Sequence, residues 1–192
     1  MRPAIFLDRD GTLNEDVGHL DRFERLVLFP WSLDAVRLLR RAGYAVVVVT
    51  NQGGVARGFV AESFVAEVRR FIERRLADIG ERLDGHYHCP HEPHATVAAY
   101  RRICDCRKPL PGLVRRACRE LDLDAGRSVV IGDKWSDVRL ARAAGARGVL
   151  IRTGYGGGQE QAPPTDLRPD AVADTLMDAA AWVLRNPPPG GR

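Results

Sequence analysis

The sequence predicts an α/β fold in which a mostly parallel sheet is covered by helices on both faces, three layers in one domain. Short apolar runs alternate along the chain with longer stretches of helical spacing, the order that right-handed βαβ crossovers require. The run Ala45-Val46-Val47-Val48-Val49 is apolar without interruption, as a strand buried on both faces must be. Three of the apolar runs also end in polar residues. In such sheets ligands sit beyond the carboxyl ends of the strands.

Taken in order, Ala4-Ile5-Phe6-Leu7 reads as a buried strand that stops at a polar cluster. Residues 31–42 place Leu33, Val36, Leu38 and Leu39 at helical spacing, and Gly43 stops the helix. After the valine strand, residues 61–79 form a long amphipathic helix closed by Gly80, and residues 85–89 a further strand. Residues 110–121 read as a helix with Pro111 in its first turn. It carries Cys118, expected as a buried helix residue. Ser128-Val129-Val130-Ile131 is a strand, 137–144 a helix, Val149-Leu150-Ile151 a strand and 174–184 the last helix. Residues 154–169, rich in Gly, Pro and Gln, read as a loop. Residues 186–192, with three prolines and two glycines, read as a disordered tail. No linker splits the chain, so residues 1–185 are expected to form one Rossmann-like domain without a large cap domain.

The 192 residues are enough for a real hydrophobic core, and 45% hydrophobic with 28% charged is ordinary for a globular protein. No apolar run reaches the roughly 18 residues that span a membrane, and Asp8 follows too soon for a signal peptide. The expectation is a cytoplasmic protein with no membrane partner. The net charge is +4, but arginines such as Arg37, Arg40, Arg41, Arg69, Arg70, Arg74 and Arg75 are spread over several helices. Solvated helix faces account for them, so no nucleic-acid partner is expected.

The polar strand ends carry the chemistry. Asp8 opens Asp8-Arg9-Asp10-Gly11-Thr12. It is ionised at neutral pH and able to attack phosphorus. Such an attack needs a cation to screen the repulsion, and Mg²⁺ suits carboxylates and phosphate oxygens; Asp133 is the natural second carboxylate. Asp10 is placed to protonate the leaving oxygen and later to activate water. Thr50 offers a hydroxyl, Asn51-Gln52-Gly53-Gly54 backbone amides, and Lys108 an ammonium beside Pro109. Together they describe electrostatic catalysis of phosphoryl transfer. An Asp after a strand is often only a turn former or cap, and Asp137 is expected to cap its helix as well as face the site.

Cys89-Pro90-His91 and Cys104-Asp105-Cys106 form two paired hooks. Three thiolates and an imidazole suit tetrahedral Zn²⁺ in a closed structural site, with His94 a rival to His91 for the fourth place.

Asp8-Arg9-Asp10-Gly11-Thr12-Leu13, Thr50-Asn51, Lys108-Pro109 and Gly132-Asp133-Lys134-Trp135-Ser136-Asp137 resemble the four motifs of the haloacid dehalogenase superfamily. The hooks Cys89-Pro90-His91-Glu92-Pro93 and Cys104-Asp105-Cys106-Arg107-Lys108-Pro109 closely resemble a narrower family, the D-glycero-D-manno-heptose 1,7-bisphosphate 7-phosphatases. So do Thr50-Asn51-Gln52-Gly53-Gly54-Val55-Ala56-Arg57-Gly58 and Pro109-Leu110-Pro111-Gly112. The resemblance spans residues 4–154. It implies Asp8 as nucleophile, Asp10 as acid/base, and Thr50 and Lys108 as phosphoryl stabilisers. It implies Mg²⁺ on Asp8, the Asp10 backbone carbonyl and Asp133, and Zn²⁺ on Cys89, His91, Cys104 and Cys106. A phosphorylated sugar would meet Asp16, His19, Asn51, Gln52, Gly53, Arg107 and Lys134. A tyrosine often stands in the family where this chain has His19, and Trp135-Ser136 also departs from its pattern.

The expected activity is therefore Mg²⁺-dependent hydrolysis of the C7 phosphate of the heptose bisphosphate through an aspartyl-phosphate, by a monomer. It would serve the synthesis of nucleotide-activated heptose. The alternatives are a histidinol-phosphate phosphatase and, more distantly, a non-catalytic zinc-stapled interaction module.

Overall fold

In the computed structural model, which describes residues 1–188, six strands pair in parallel throughout. They are β1 (Arg2–Leu7), β2 (Ala45–Asn51), β3 (Gly85–Cys89), β4 (Leu123–Gly132), β5 (Arg147–Ile151) and β6 (Ala171–Ala173). Their spatial order is β3-β2-β1-β4-β5-β6. The chain moves outward from β1 through β2 to β3, then returns to the other side of β1 with β4. The loops after β1 and β4 thus diverge around one crevice, the place where doubly wound sheets bind ligands.

Alternation along the strands divides the core into two layers. Ile5, Leu7, Val46, Val48, Val129 and Ile131 face a cluster that includes Val36 and Leu39 of α1 (Ser32–Arg41), Val68, Ile72 and Leu76 of α3 (Glu62–Ala77), and Leu176 and Val183 of α7 (Leu176–Arg185). Phe6, Val47, Val49 and Val130 face Leu113, Val114 and Ala117 of α4 (Gly112–Leu121) and Leu140 and Ala141 of α5 (Trp135–Ala144). The valine run of β2 is buried on both faces, as its composition requires. No helix among the described residues is long and apolar enough to cross a membrane.

Several elements differ from the sequence reading. Pro111 stands at the cap of α4 rather than inside its first turn, and Cys118 on that helix is half-buried. Residues 154–169 are not all loop, since Gly156–Gln161 form a short helix, α6. Its glycines are poor helix formers. It is held from outside, by the Trp135 backbone N–H donating to Gln159 Oε1 at 3.1 Å and the indole N–H to Gln159 O at 2.7 Å. β6 has only three residues, too few for a period to be read. Of the tail foreseen over 186–192, residues 189–192 lie outside the described residues.

One core group carries an acid sensitivity. His86 of β3 is buried, and neither ring nitrogen has a hydrogen-bond partner among the described residues. Burial, with the nearby Arg9 charge, pushes its pKa down from 6.5 to about 3. The unfolded chain therefore binds a proton between these values that the folded chain refuses. Stability is fully present above pH 6.5 and falls as pH drops towards 3. His86→Leu should flatten that part of the pH–stability curve. Denaturant titrations at pH 7 and pH 4.5 check it, and an unchanged difference between the two pH values refutes it.

Candidate active site

The carboxyl ends of β1, β2 and β4 deliver the polar residues to one cleft of about 230 Å³. Asp8, Asp10, Asp16, His19, Thr50, Asn51, Gln52, Gly53, Arg107, Lys108 and Lys134 all line it. Asp8 follows β1, and its backbone N–H continues the ladder by donating to Ile131 O at 3.0 Å. This bond fixes the start of the β1 loop against β4.

Asp8, Asp133 and Asp137 offer carboxylate oxygens within 4.8 Å of one another, all buried. Lys108 Nζ lies 2.9 Å from Asp8 Oδ2 and 2.6 Å from Asp137 Oδ1. Burial would drive its proton off, but the two anions outweigh burial and its pKa is raised. Asp137 also accepts from the Lys134 backbone N–H at 3.2 Å, capping α5. It thus combines the two roles foreseen for it.

Three carboxylates against one ammonium leave an excess of negative charge. Asp133 bears the cost: burial, reinforced by the Asp8 charge and opposed by Lys134, pushes its pKa up to about 7. Its Oδ2 accepts from the Tyr155 backbone N–H at 2.9 Å, while its buried Oδ1 has no partner among the described residues. A hard divalent cation fits this donor set, because it needs anionic oxygens and here meets an unpartnered one. Two glycines let the backbone come close to this carboxylate. A Cβ on Gly11 would sit 2.2 Å from Asp133 Oδ2, and one on Gly154 2.3 Å from the same atom; both glycines have positive φ.

Asp10 lines the same cleft but has partners of its own. Arg9, itself 1% exposed, donates from Nε and Nη2 to its carboxylate at 2.8–3.1 Å. Asn14 adds a bond at 2.9 Å and Gln52 Nε2 one at 3.0 Å. Burial pushes the Asp10 carboxyl up, but the Arg9 charge and these hydrogen bonds together outweigh it and hold it below the usual range. Gln52 Nε2 also lies 3.0 Å from Thr50 Oγ1, so one amide links the two expected catalytic groups. The Asn51 side chain is engaged with the Lys108 backbone, donating to Lys108 O at 3.1 Å and accepting from Lys108 N–H at 3.0 Å. It therefore anchors the lysine. Asp16 accepts from Lys134 Nζ at 2.7 Å. The His19 ring rests on Phe59, centroids 5.0 Å apart.

Arg57 and Glu92 also line the cleft and were absent from the sequence-derived site. Arg57 lies at the end of the short helix α2 (Gly53–Ala56), one turn beyond Gly53, so its spacing from Asn51-Gln52-Gly53-Gly54 was a usable signal. The Glu92 pairing, across 35 residues, was not visible.

Next in sequence to Glu92 of the cleft, His91 joins Cys89, Cys104 and Cys106 in offering four ligand atoms within 4.8 Å of one another. Cys89 Sγ is 3.6 Å from Cys104 Sγ and 3.2 Å from Cys106 Sγ, and His91 Nδ1 is 3.3 Å from Cys106 Sγ. A tetrahedral zinc with bonds of about 2.3 Å spaces its sulfurs by about 3.8 Å, so small outward shifts accommodate the ion. All four cysteines are free thiols. His94 does not belong to the cluster.

A HAD-hydrolase-like family model matches residues 105–179. The chain is 41% identical over 180 residues to D-glycero-beta-D-manno-heptose-1,7-bisphosphate 7-phosphatase of Yersinia pestis, covering 93% of this chain and 92% of that one. It is 39% identical over 188 residues to the Escherichia coli K12 protein of the same name, covering 97% and 96%. Among solved structures it resembles the D,D-heptose 1,7-bisphosphate phosphatase of B. bronchiseptica, crystallised with magnesium and phosphate. That match has a TM-score of 0.82 and 32% identity, and covers 97% of this chain and 99% of that one. With this fold and a likeness that runs almost end to end, the chain is a phosphoric monoester hydrolase and belongs to the D-glycero-D-manno-heptose 1,7-bisphosphate 7-phosphatase family of the haloacid dehalogenase superfamily.

Proposed function

We propose that this phosphatase removes the C7 phosphate of D-glycero-D-manno-heptose 1,7-bisphosphate, leaving the C1 phosphate for synthesis of a nucleotide-activated heptose. The observation that carries the reading is a pair of neighbouring cations that line one cleft with different partners. Lys108 is buried against Asp8, while the neighbouring Arg107 turns to the rim, donating to His91 O at 3.0 Å and Glu92 Oε1 at 2.8 Å. A sugar with two phosphates has one for each.

In the reaction, an Asp8 oxygen attacks phosphorus and the bond from phosphorus to the C7 oxygen breaks. The leaving oxygen takes a proton from Asp10, whose proton affinity rises when a phosphate dianion enters beside it. A water then attacks phosphorus, gives a proton back to Asp10 and releases Asp8 and inorganic phosphate. Lys108 and the Thr50 hydroxyl hold the transferring oxygens, and Asn51 keeps Lys108 in place. Gln52 and Arg9 aim Asp10. Mg²⁺, held by Asp8, the Asp10 carbonyl and Asp133, would screen the repulsion between nucleophile and phosphate. Zn²⁺ on Cys89, His91, Cys104 and Cys106 would stiffen the loop that ends in Arg107 and Lys108.

Histidinol phosphate is the weaker reading. Its ammonium needs a free carboxylate, and the two at the cleft mouth are occupied, Glu92 by Arg57 and Arg107 and Asp16 by Lys134. Phosphate release from the heptose bisphosphate, from histidinol phosphate and from small monophosphates tests the choice. Histidinol phosphate as the better substrate would replace the heptose reading. Arg107→Ala should cost the bisphosphate roughly 1.5–3 kcal/mol, the worth of a charged hydrogen bond, or about ten- to a hundredfold in kcat/KM. Monophosphates should lose less. An equal loss for both would place Arg107 on the reacting phosphate.

A further inference from the structure

At the rim of the cleft, one carboxylate binds two arginines that come from different segments. Glu92 Oε2 accepts from Arg57 Nε at 2.8 Å, and Glu92 Oε1 accepts from Arg57 Nη2 at 2.9 Å. The same Oε1 accepts from Arg107 Nη2 at 2.8 Å. Arg57 follows α2, and Arg107 follows the second cysteine hook. The carboxylate is seated against Gly53, where a Cβ would come within 2.6 Å of Oε1. Its side chain is 13% exposed, whereas Arg57 is 48% exposed and would otherwise be free to swing into solvent.

Two guanidiniums against one carboxylate leave a residual positive charge on the cleft side. Donors also remain. Neither Arg57 Nη1 nor Arg107 Nε makes a hydrogen bond among the described residues, and both side chains line the cleft. Like charges this close repel, so without the carboxylate the pair would separate. With it, the ordering cost is met before any ligand arrives.

We infer that Glu92 is the positioning residue for a two-arginine clamp, Arg57 with Arg107, that grips the second phosphate of the substrate and sets the preference for bisphosphates. The inference rests on the bisphosphate reading above and deepens it by naming the residues that select the far end. Glu92 acts through the arginines and does not touch the reacting atoms. The opposite role is that of a competitor holding the phosphate's seat, and its removal would tighten binding.

The test compares heptose 1,7-bisphosphate with heptose 7-phosphate, which lacks the far group, using the intact chain and its Glu92→Gln, Arg57→Gln and double variants. Arg57 is half-exposed, so its variant should fold whatever Glu92→Gln does. Glu92→Gln should lower the ratio of kcat/KM values, bisphosphate over monophosphate, by about tenfold, the scale of one charged hydrogen bond. The loss should lie in KM rather than kcat. Arg57→Gln should do the same, and the double variant should lose less than the product of the two single losses, because part of the effect of Glu92 runs through Arg57 and the rest through Arg107. A ratio that stays constant or rises in Glu92→Gln overturns the clamp, as does full additivity in the double variant. An intact enzyme with no preference for the bisphosphate removes the substrate reading and the clamp with it. A preference that survives Glu92→Gln removes the clamp alone.

Discussion

Asp8→Asn should abolish turnover and leave the fold standing. The substitution keeps the shape of the side chain and removes the anion proposed to attack phosphorus. Losing a nucleophile outright costs on the order of 10⁴-fold or more in kcat. Stability should move little, because two effects oppose each other. Lys108 loses one partner but keeps Asp137 at 2.6 Å. At the same time, the Asp8 charge that helps raise Asp133 and Asp137 is gone. The thermal midpoint measured in chelator should therefore stay near that of the parent. Phosphate release and a melting curve on one preparation check both halves. Normal turnover by a pure Asp8→Asn protein would end the aspartyl-phosphate mechanism. Chelation of Mg²⁺ should silence the parent enzyme reversibly, and full activity in excess chelator would remove the metal from the proposal.

Cys106→Ser should detach the rim. Zinc analysis of the parent should find about one ion per chain, the complement of one four-ligand site. The variant should hold far less, since a hydroxyl does not replace a thiolate. Metal binding and local folding are coupled, and losing a structural metal belongs with the larger single-residue effects, about 2–4 kcal/mol. For a chain of this size that is roughly 5–15 °C in Tm. The damage should reach the substrate as well, because Arg107 donates to the carbonyl of His91, one of the four proposed ligands. KM for the bisphosphate should rise along with the fall in Tm. Fully active protein that carries no zinc after purification without chelators would rule the site out.

Much of this was legible in the sequence because the signals were local. An unbroken valine run can only be a strand buried on both faces. The polar residues directly after it must then lie at the sheet's carboxyl edge. The cysteine hooks announced themselves by composition. What stayed hidden depends on contacts between distant segments. The glycines of α6 argue against a helix, and only Trp135 gripping Gln159 holds one there. Arg57 and Glu92 stood in two separate segments, and only the fold brings them together. The pairing of the Asn51 side chain with the Lys108 backbone, 57 residues away, could not be read either. The orientation of Asp10 was equally invisible, since it is set by Arg9, Asn14 and Gln52 jointly.

The central place of β1 in the sheet also has a consequence for synthesis on the ribosome. β1 emerges before the other five described strands, yet one of its two neighbours, β4, begins only at Leu123. Asp8 therefore leaves the exit tunnel long before Asp133, and the Tyr155 amide that steadies Asp133 emerges later still. Until then the apolar β1 has only β2 beside it, with its other edge open to stray pairing. The proposed catalytic centre is thus among the last of the described parts to close, however early Asp8 is made.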